Sequence, residues 1–551
     1  MTEGKYSDGG ELLTRILAAH GVDSVFGVIS VHNIPLVERV SSELRFVPVR
    51  HEAAAINAAD GYARARGSLG CAITSTGTGA GNASGSMIEA LSASTPLLHI
   101  TTNIPTQYID AGRGFIHEFT GQARMIDSFS AWSARISTGE LAPKILQTAI
   151  RRALGSPGGP VTVEWPIDLQ YLGGLFEFEE DTEDSPRCCN DVQLRQAADL
   201  LANAERPTLW VGGGARNARD EVRDLAEKLG AGVFTSNAGR GILPEDHPLC
   251  IGNYGTSAGG GELLEASDLL LSVGTHFRSN ETNTYKMKIP SRHLQIDIDA
   301  EAIGRSYPVE IGLTGDAKLA LGSINRLIKR SCRSTSWATR VTETRARVRH
   351  EHRSSLGNHA AICDALRDNL PREGIVARDV TIASSSWGNR LLEIYDPSCN
   401  IFARGGGIGQ GLAMGIGASI GCPRVPTVVI VGDGGIAVHL GELLTLMQER
   451  PNVTVIVFND RGYGVLRNAQ LARSAEPRAV DLFTADFAKL AESLGLPYWL
   501  VVESESAMKS FREALSLPGP KLIEVDLEKF GPMRVAFTPP VEVPATVQKE
   551  V

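Results

Sequence analysis

The sequence predicts an α/β protein built of three doubly wound, parallel-sheet domains. Two observations carry this. At 551 residues the chain exceeds what one hydrophobic core organises. Short apolar strands alternate with helical stretches along nearly all of it, the pattern of a parallel sheet covered by helices. Two breaks in that alternation divide the chain into residues 1–180, 191–328 and 358–551.

In the first unit the strands SVFGVI, GCAITST and PLLHITT alternate with helices such as ELLTRILAAHG and HEAAAINAADGYARARG. The acidic, proline-containing segment FEFEEDTEDSPRCCND has neither period and reads as a linker. The second unit offers the strands PTLWVGGG, GVFTS, DLLLSVG and HLQIDID with the helix RDEVRDLAEKLG. A basic, polar stretch from Lys329 to Asn358 reads as a solvated helix or connector. The third unit repeats the pattern with GIVARDV, PTVVIVGDGG, VTVIVFND and KLIEVDL.

A formal charge of −9 argues against a nucleic-acid partner, since such binders carry a clustered basic surface. The eight cysteines form no C-x-x-C pair, which argues against a zinc or redox centre. Neither a signal-peptide pattern nor an apolar run of membrane-spanning length is present, so the expectation is a cytoplasmic enzyme acting on small molecules.

The informative motif is in the third unit. The strand PTVVIV runs into Gly432-Asp433-Gly434-Gly435, and the next strand VTVIVF ends in Asn459-Asp460 before RGYG. Both acidic residues therefore sit at C-terminal strand ends, the edge where open parallel sheets bind ligands, and neighbouring strands would bring them together. Two carboxylates and a carbonyl suit Mg²⁺, which prefers oxygen ligands and recruits phosphate oxygens. The N–H groups of Gly434 and Gly435 open the next helix and can approach a phosphate.

The G-D-G and N-D pair resembles the diphosphate-binding motif of the thiamine diphosphate (ThDP)-dependent acetolactate synthase and 2-oxo acid decarboxylase superfamily. The resemblance covers nearly the whole chain, and its three domains bind the pyrimidine, form a Rossmann-like middle unit and bind the diphosphate. It implies ThDP and Mg²⁺ as cofactors, with Asp433, the Asp460 side chain and the Gly462 carbonyl on the metal. In RFVPVRHEAAAINAADG, Glu52 matches the glutamate that hydrogen-bonds N1′ of the aminopyrimidine and so promotes proton removal at the thiazolium C2. In ARGGGIGQGLAMGIGA the Gly406 carbonyl would receive the 4′-amino group and Ile408 would wedge between the two rings. Thr381 and Ser384 lie where relatives contact the diphosphate, although the usual Gly-Gln pair is missing there.

The implied reaction is decarboxylation of a 2-oxo acid to an enamine, which is protonated or ligated to a second carbonyl. His32, in FGVISVHNIP, matches a histidine that benzaldehyde lyase uses at C2, so an aldehyde or ketone lyase is the alternative. His117, in RGFIHE, departs from the F-Q-E motif of acetolactate synthases and resembles the branch that includes 5-guanidino-2-oxopentanoate decarboxylase. Gly77-Thr78-Gly79-Ala80-Gly81-Asn82 likewise departs from G-P-G-A-T-N.

A rival class is an FAD- or dinucleotide-dependent oxidoreductase, suggested by V-G-G-G-A-R-N-A from Val211, but Asn217 stands where G-x-G-x-x-G needs its third glycine. Some acetolactate synthases hold FAD in this domain, which a yellow protein would reveal. A non-catalytic binding subunit is the third class, and the joint presence of Glu52, Asp433 and Asp460 argues against it. The family's cofactor lies between two chains, so the resemblance implies a homodimer or homotetramer.

Overall fold

The computed structural model describes residues 4–177, 189–329, 335–473 and 475–539. Most of the predicted acidic linker and the start of the basic connector lie outside these residues. Three six-stranded, all-parallel sheets follow one another along the chain. Numbered within each domain, the first and third sheets share the strand order 2-1-3-4-6-5, and the middle sheet has 3-2-1-4-5-6. In each case the order reverses beside the first strand, which opens a crevice at the C-terminal strand ends. A short antiparallel ribbon pairs Gly4–Tyr6 with Gly174–Phe176, joining the start of the first domain to its end.

The central strands are fully buried on both faces, which is why Thr427–Gly432 and Val453–Asn459 read as continuous apolar runs rather than alternating ones. The basic stretch forms the helix Thr335–Leu356, and it is more than a solvated surface element. Trp337, Val341 and Val348 on one face join the middle-domain core, and the Trp337 indole N–H donates to the Pro207 carbonyl at 2.9 Å. No helix among the described residues is long and apolar enough to cross a membrane.

The first and third domains pack through the helices Glu52–Arg66 and Gly411–Gly421, whose side chains merge with both sheets into one core. The approach is close because glycine lines it. A methyl group on Gly61 would lie 2.0 Å from the Met414 carbonyl oxygen, and one on Gly417 would lie 1.9 Å from that of Ala58. Gly417→Ala therefore forces the domains apart and should lower stability by about 1–3 kcal/mol. Gly322→Ala, in a helix where the added methyl meets nothing closer than 3.6 Å, should instead stabilise slightly. Thermal melts of both variants check the contrast.

Candidate functional site

In the third domain the strands Thr427–Gly432 and Val453–Asn459 pair in parallel, with Gly432 opposite Phe458. This register brings Asp433 and Asp460 together, and the Asp460 backbone N–H donates to Asp433 Oδ1 at 3.4 Å. Gly462 lies at the same edge: its carbonyl oxygen is 3.5 Å from where a Gly434 side chain would begin. A Cβ on Gly464 would overlap Asp460 Oδ2 at 1.6 Å, so that glycine makes room for the carboxylate. Thr381 borders the same turn, its Oγ1 being 3.2 Å from a Gly432 Cβ position. Ser384 is buried one helical turn further on, facing the cavity described below.

The electrostatics favour a cation here. Burial and the neighbouring Asp460 push the Asp433 carboxyl up to about 7, and burial also raises Asp460. Asp433 Oδ2 is buried with no hydrogen-bond partner, a costly state for a carboxylate oxygen. A divalent ion would satisfy that atom and offset the like-charge pair. Among the described residues no group of three or more His, Cys, Asp or Glu could hold a metal. Two carboxylates and a carbonyl leave an octahedral ion in need of further oxygens, which a diphosphate supplies. The residues present fit Mg²⁺ held jointly with a diphosphate, and Gly434 and Gly435 stand at the start of the helix Asp433–Val438, where N–H groups lack intrahelical acceptors.

The adjoining glycine-rich turn carries Gly406 and Gly409, both at φ +87°, with Ile408 partly exposed between them. Asp379 holds this turn from the strand side, its carboxylate accepting the N–H groups of Gly409 at 3.0 Å and Gly411 at 2.7 Å. Burial pushes Asp379 up to about 6 despite those bonds. Sequence reasoning missed Asp379, although it ends an apolar strand just as Asp433 does.

In the first domain Glu52 is the first residue of its helix and half-buried. Its Oε2 accepts from the Asn82 side chain at 3.0 Å, and Gly79 leaves room for Oε1. Asn82 was visible in the altered G-T-G-A-G-N motif, but nothing in the sequence showed this bond. The same loop reaches His117, whose carbonyl oxygen is 2.6 Å from a Gly77 Cβ position. His117 is exposed at φ +67°, in a loop closed by Glu118, which accepts from the N–H groups of Gly112, Gly114 and Phe115 at 2.7–3.1 Å. The His32 ring packs edge-on against that of His117, with centroids 5.2 Å apart. Thus Glu52, His32 and His117 all follow the C-terminal ends of first-sheet strands.

A cavity of about 1200 Å³ lies between the middle and third domains, bordered by Ser92 and Ser94 of the first, and Asp379, Ser384 and Gly406 of the turn region described above also line it. Gly213, Gly214, Arg216 and Asn217 of the V-G-G-G-A-R-N-A segment line it, together with Arg278 and Arg404.

His32 is buried, with Nε2 lacking a partner, and both burial and the nearby His117 lower its pKa from the usual 6.5. Its imidazole is therefore neutral near pH 7, and native stability falls as the pH drops below the unfolded value, because only the unfolded ring charges freely there. Side-chain NMR titration should show His32 protonating below the ordinary range, and His117→Ala should move it part of the way back up.

The chain matches the thiamine pyrophosphate enzyme N-terminal TPP binding domain over residues 7–125, the central domain over 194–324 and the C-terminal TPP binding domain over 382–525. It is 32% identical over 523 residues to a probable 2-ketoarginine decarboxylase of Pseudomonas aeruginosa, covering 94% of this chain and 93% of that one. It is 27% identical over 549 residues to a probable acetolactate synthase large subunit of Methanocaldococcus jannaschii, covering 94% and 92%. A chloroplastic acetolactate synthase of Arabidopsis thaliana is likewise 27% identical over 549 residues, covering 94% and 81%. With all three domain types matched in order and relatives alike from end to end, the chain belongs to the thiamine pyrophosphate enzymes, in the acetolactate synthase-like and 2-oxo acid decarboxylase superfamily.

Proposed function

We propose that the protein decarboxylates a 2-oxo acid using ThDP anchored through Mg²⁺, and then protonates the product or ligates it to a second carbonyl compound. The observation that carries this reading is the Asp433–Asp460 pair with its unpartnered, buried Oδ2 beside Gly462. Asp433, Asp460 and the Gly462 carbonyl would hold the metal, and Gly434 and Gly435 the diphosphate, with Thr381 and Ser384 nearby. The Gly406 carbonyl and Ile408 would take the aminopyrimidine and the bend of the cofactor.

When bound, ThDP supplies a carbon nucleophile at C2 that accepts the electrons released with CO₂. The chain's own residues orient that chemistry and move protons. Glu52, fixed by Asn82, is placed to hold a proton at the pyrimidine N1′. His117 and neutral His32 lie on the same domain edge, where they can exchange a proton with the substrate. That histidine pair also favours a second reading, cleavage or formation of a carbon–carbon bond between two carbonyl compounds, as in benzaldehyde lyase.

A homodimer or homotetramer accounts for apolar side chains left open on both cofactor domains. Ile29, Val31, Ile116 and Phe119 on the first, and Leu444, Leu466 and Leu471 on the third, are each at least 46% exposed. A second copy covering these faces would set one chain's first domain against the other's third. The free thiols of Cys71, Cys250, Cys363, Cys399 and Cys422 fit a reducing compartment such as the cytoplasm. The reaction needs no flavin, and visible absorbance of the purified protein would add FAD to the middle-domain cavity.

Incubation with ThDP, Mg²⁺ and a panel of 2-oxo acids should release CO₂, and Glu52→Gln should lower the rate by about 100-fold or more. Products from pyruvate, longer 2-oxo acids and benzoin separate decarboxylase, carboligase and lyase. Asp460 adds a negative charge beside the diphosphate, so calorimetric ThDP affinity should fall steeply when Mg²⁺ is withdrawn. An affinity indifferent to Mg²⁺ would overturn the metal assignment.

A further inference from the structure

The helix Thr78–Ala93 runs from the Glu52 region to the boundary with the third domain. Near its far end Glu89, only 3% exposed, reaches across that boundary. One carboxylate oxygen accepts the N–H of Gly405 and the other that of Gly407, at 3.2 Å. These two amides flank Gly406, which stands at φ +87° with open space where a side chain would be. The surroundings reinforce the grip. Arg278 of the middle domain donates to the carbonyls of both Arg404 and Ser92, and Arg404 donates to that of Ala93 at 3.0 Å.

The planarity of the peptide bond gives Glu89 a directional effect. The Gly407 N–H and the Gly406 C=O belong to one peptide unit, and in a trans unit they point opposite ways. The only cis bond among the described residues is Ser156-Pro157. Holding the Gly407 N–H toward Glu89 therefore turns the Gly406 carbonyl away from the helix and out of the turn. Buried, charge-assisted bonds of this kind resist rotation of the peptide.

We propose that Glu89 is a positioning residue for cofactor recognition, aiming the Gly406 carbonyl at the aminopyrimidine from the first domain of the same chain. The proposal rests on the reading that this carbonyl receives the 4′-amino group. It makes recognition of the pyrimidine depend on Glu89, while recognition of the diphosphate, handled at Asp433 and Asp460, does not.

Calorimetric titration of the full-length protein in Mg²⁺ with ThDP, and separately with inorganic diphosphate, tests this. Glu89→Gln replaces one accepting oxygen by an NH₂ group that repels a backbone N–H, and should weaken ThDP about tenfold or more while leaving inorganic diphosphate unchanged. Glu89→Asp keeps the charge but withdraws it from the turn. It should show the same split more weakly, and it serves if the Gln variant fails to fold. Equal loss for both ligands would mean a general structural role and would overturn the proposal, as would unchanged ThDP affinity. Wild-type protein that binds inorganic diphosphate but gains nothing from the rest of ThDP would overturn the pyrimidine reading itself.

Discussion

The architecture depends on one close approach, that of the helix after Glu52 to the helix after the glycine-rich turn. Two glycines let these backbones meet at a distance no side chain would permit. Because each helix begins at a cofactor half-site, this contact fixes where Glu52, His51 and the 405–411 turn stand relative to one another. Arg50 donates its N–H to Glu442 at 2.9 Å, and the His51 and His439 rings lie 5.3 Å apart, extending the same seam. Rigid packing of this kind holds the hydrogen-bonding groups of both half-sites in fixed directions within one chain.

Electrostatics divide the two half-sites. In the third domain the like charges of Asp433 and Asp460 are crowded and desolvated, an arrangement that is unfavourable in the absence of a compensating cation. In the first domain the charged groups already have partners: Glu52 has Asn82, and Glu118 has three backbone amides. The loop around His117 spends its strain on several left-handed residues, among them Asp110, Gly112, Gly114 and His117, and the Glu118 carboxylate compensates by binding the amides they expose. One half thus holds a buried carboxylate oxygen without a hydrogen-bond partner, while the other presents satisfied groups in fixed directions.

Much of this was legible in the sequence because it follows from sheet geometry. Apolar runs ending in Asp433 and Asp460 can only deliver those residues to one edge if the strands are parallel neighbours, and the alternation of strands and helices said that they were. Glu52 was legible as a first-turn glutamate after a strand. Asp379, Asn82 and Glu89 had no role assigned from the sequence, since contacts between residues far apart in the chain leave no spacing to read: Asn82 and Glu52 are 30 residues apart, Asp379 and Gly411 32, and Glu89 and Gly405 316. The basic stretch was read as polar by composition, and its buried stripe of Trp337, Val341 and Val348 is too sparse to stand out among so many arginines.

The antiparallel ribbon between Gly4–Tyr6 and Gly174–Phe176 makes the first domain a loop of chain whose entry and exit are the same place. Pulling on the polypeptide beyond Phe176 loads that ribbon before it loads the parallel sheet. The doorway lies at the same strand edge as the half-site, since Gln170, just before the ribbon, donates to the His32 carbonyl at 3.0 Å. Lengthening the chain there would disturb the His32 loop, whereas new termini opened at the far strand ends, with the old ones joined across a short gap, would leave it in place.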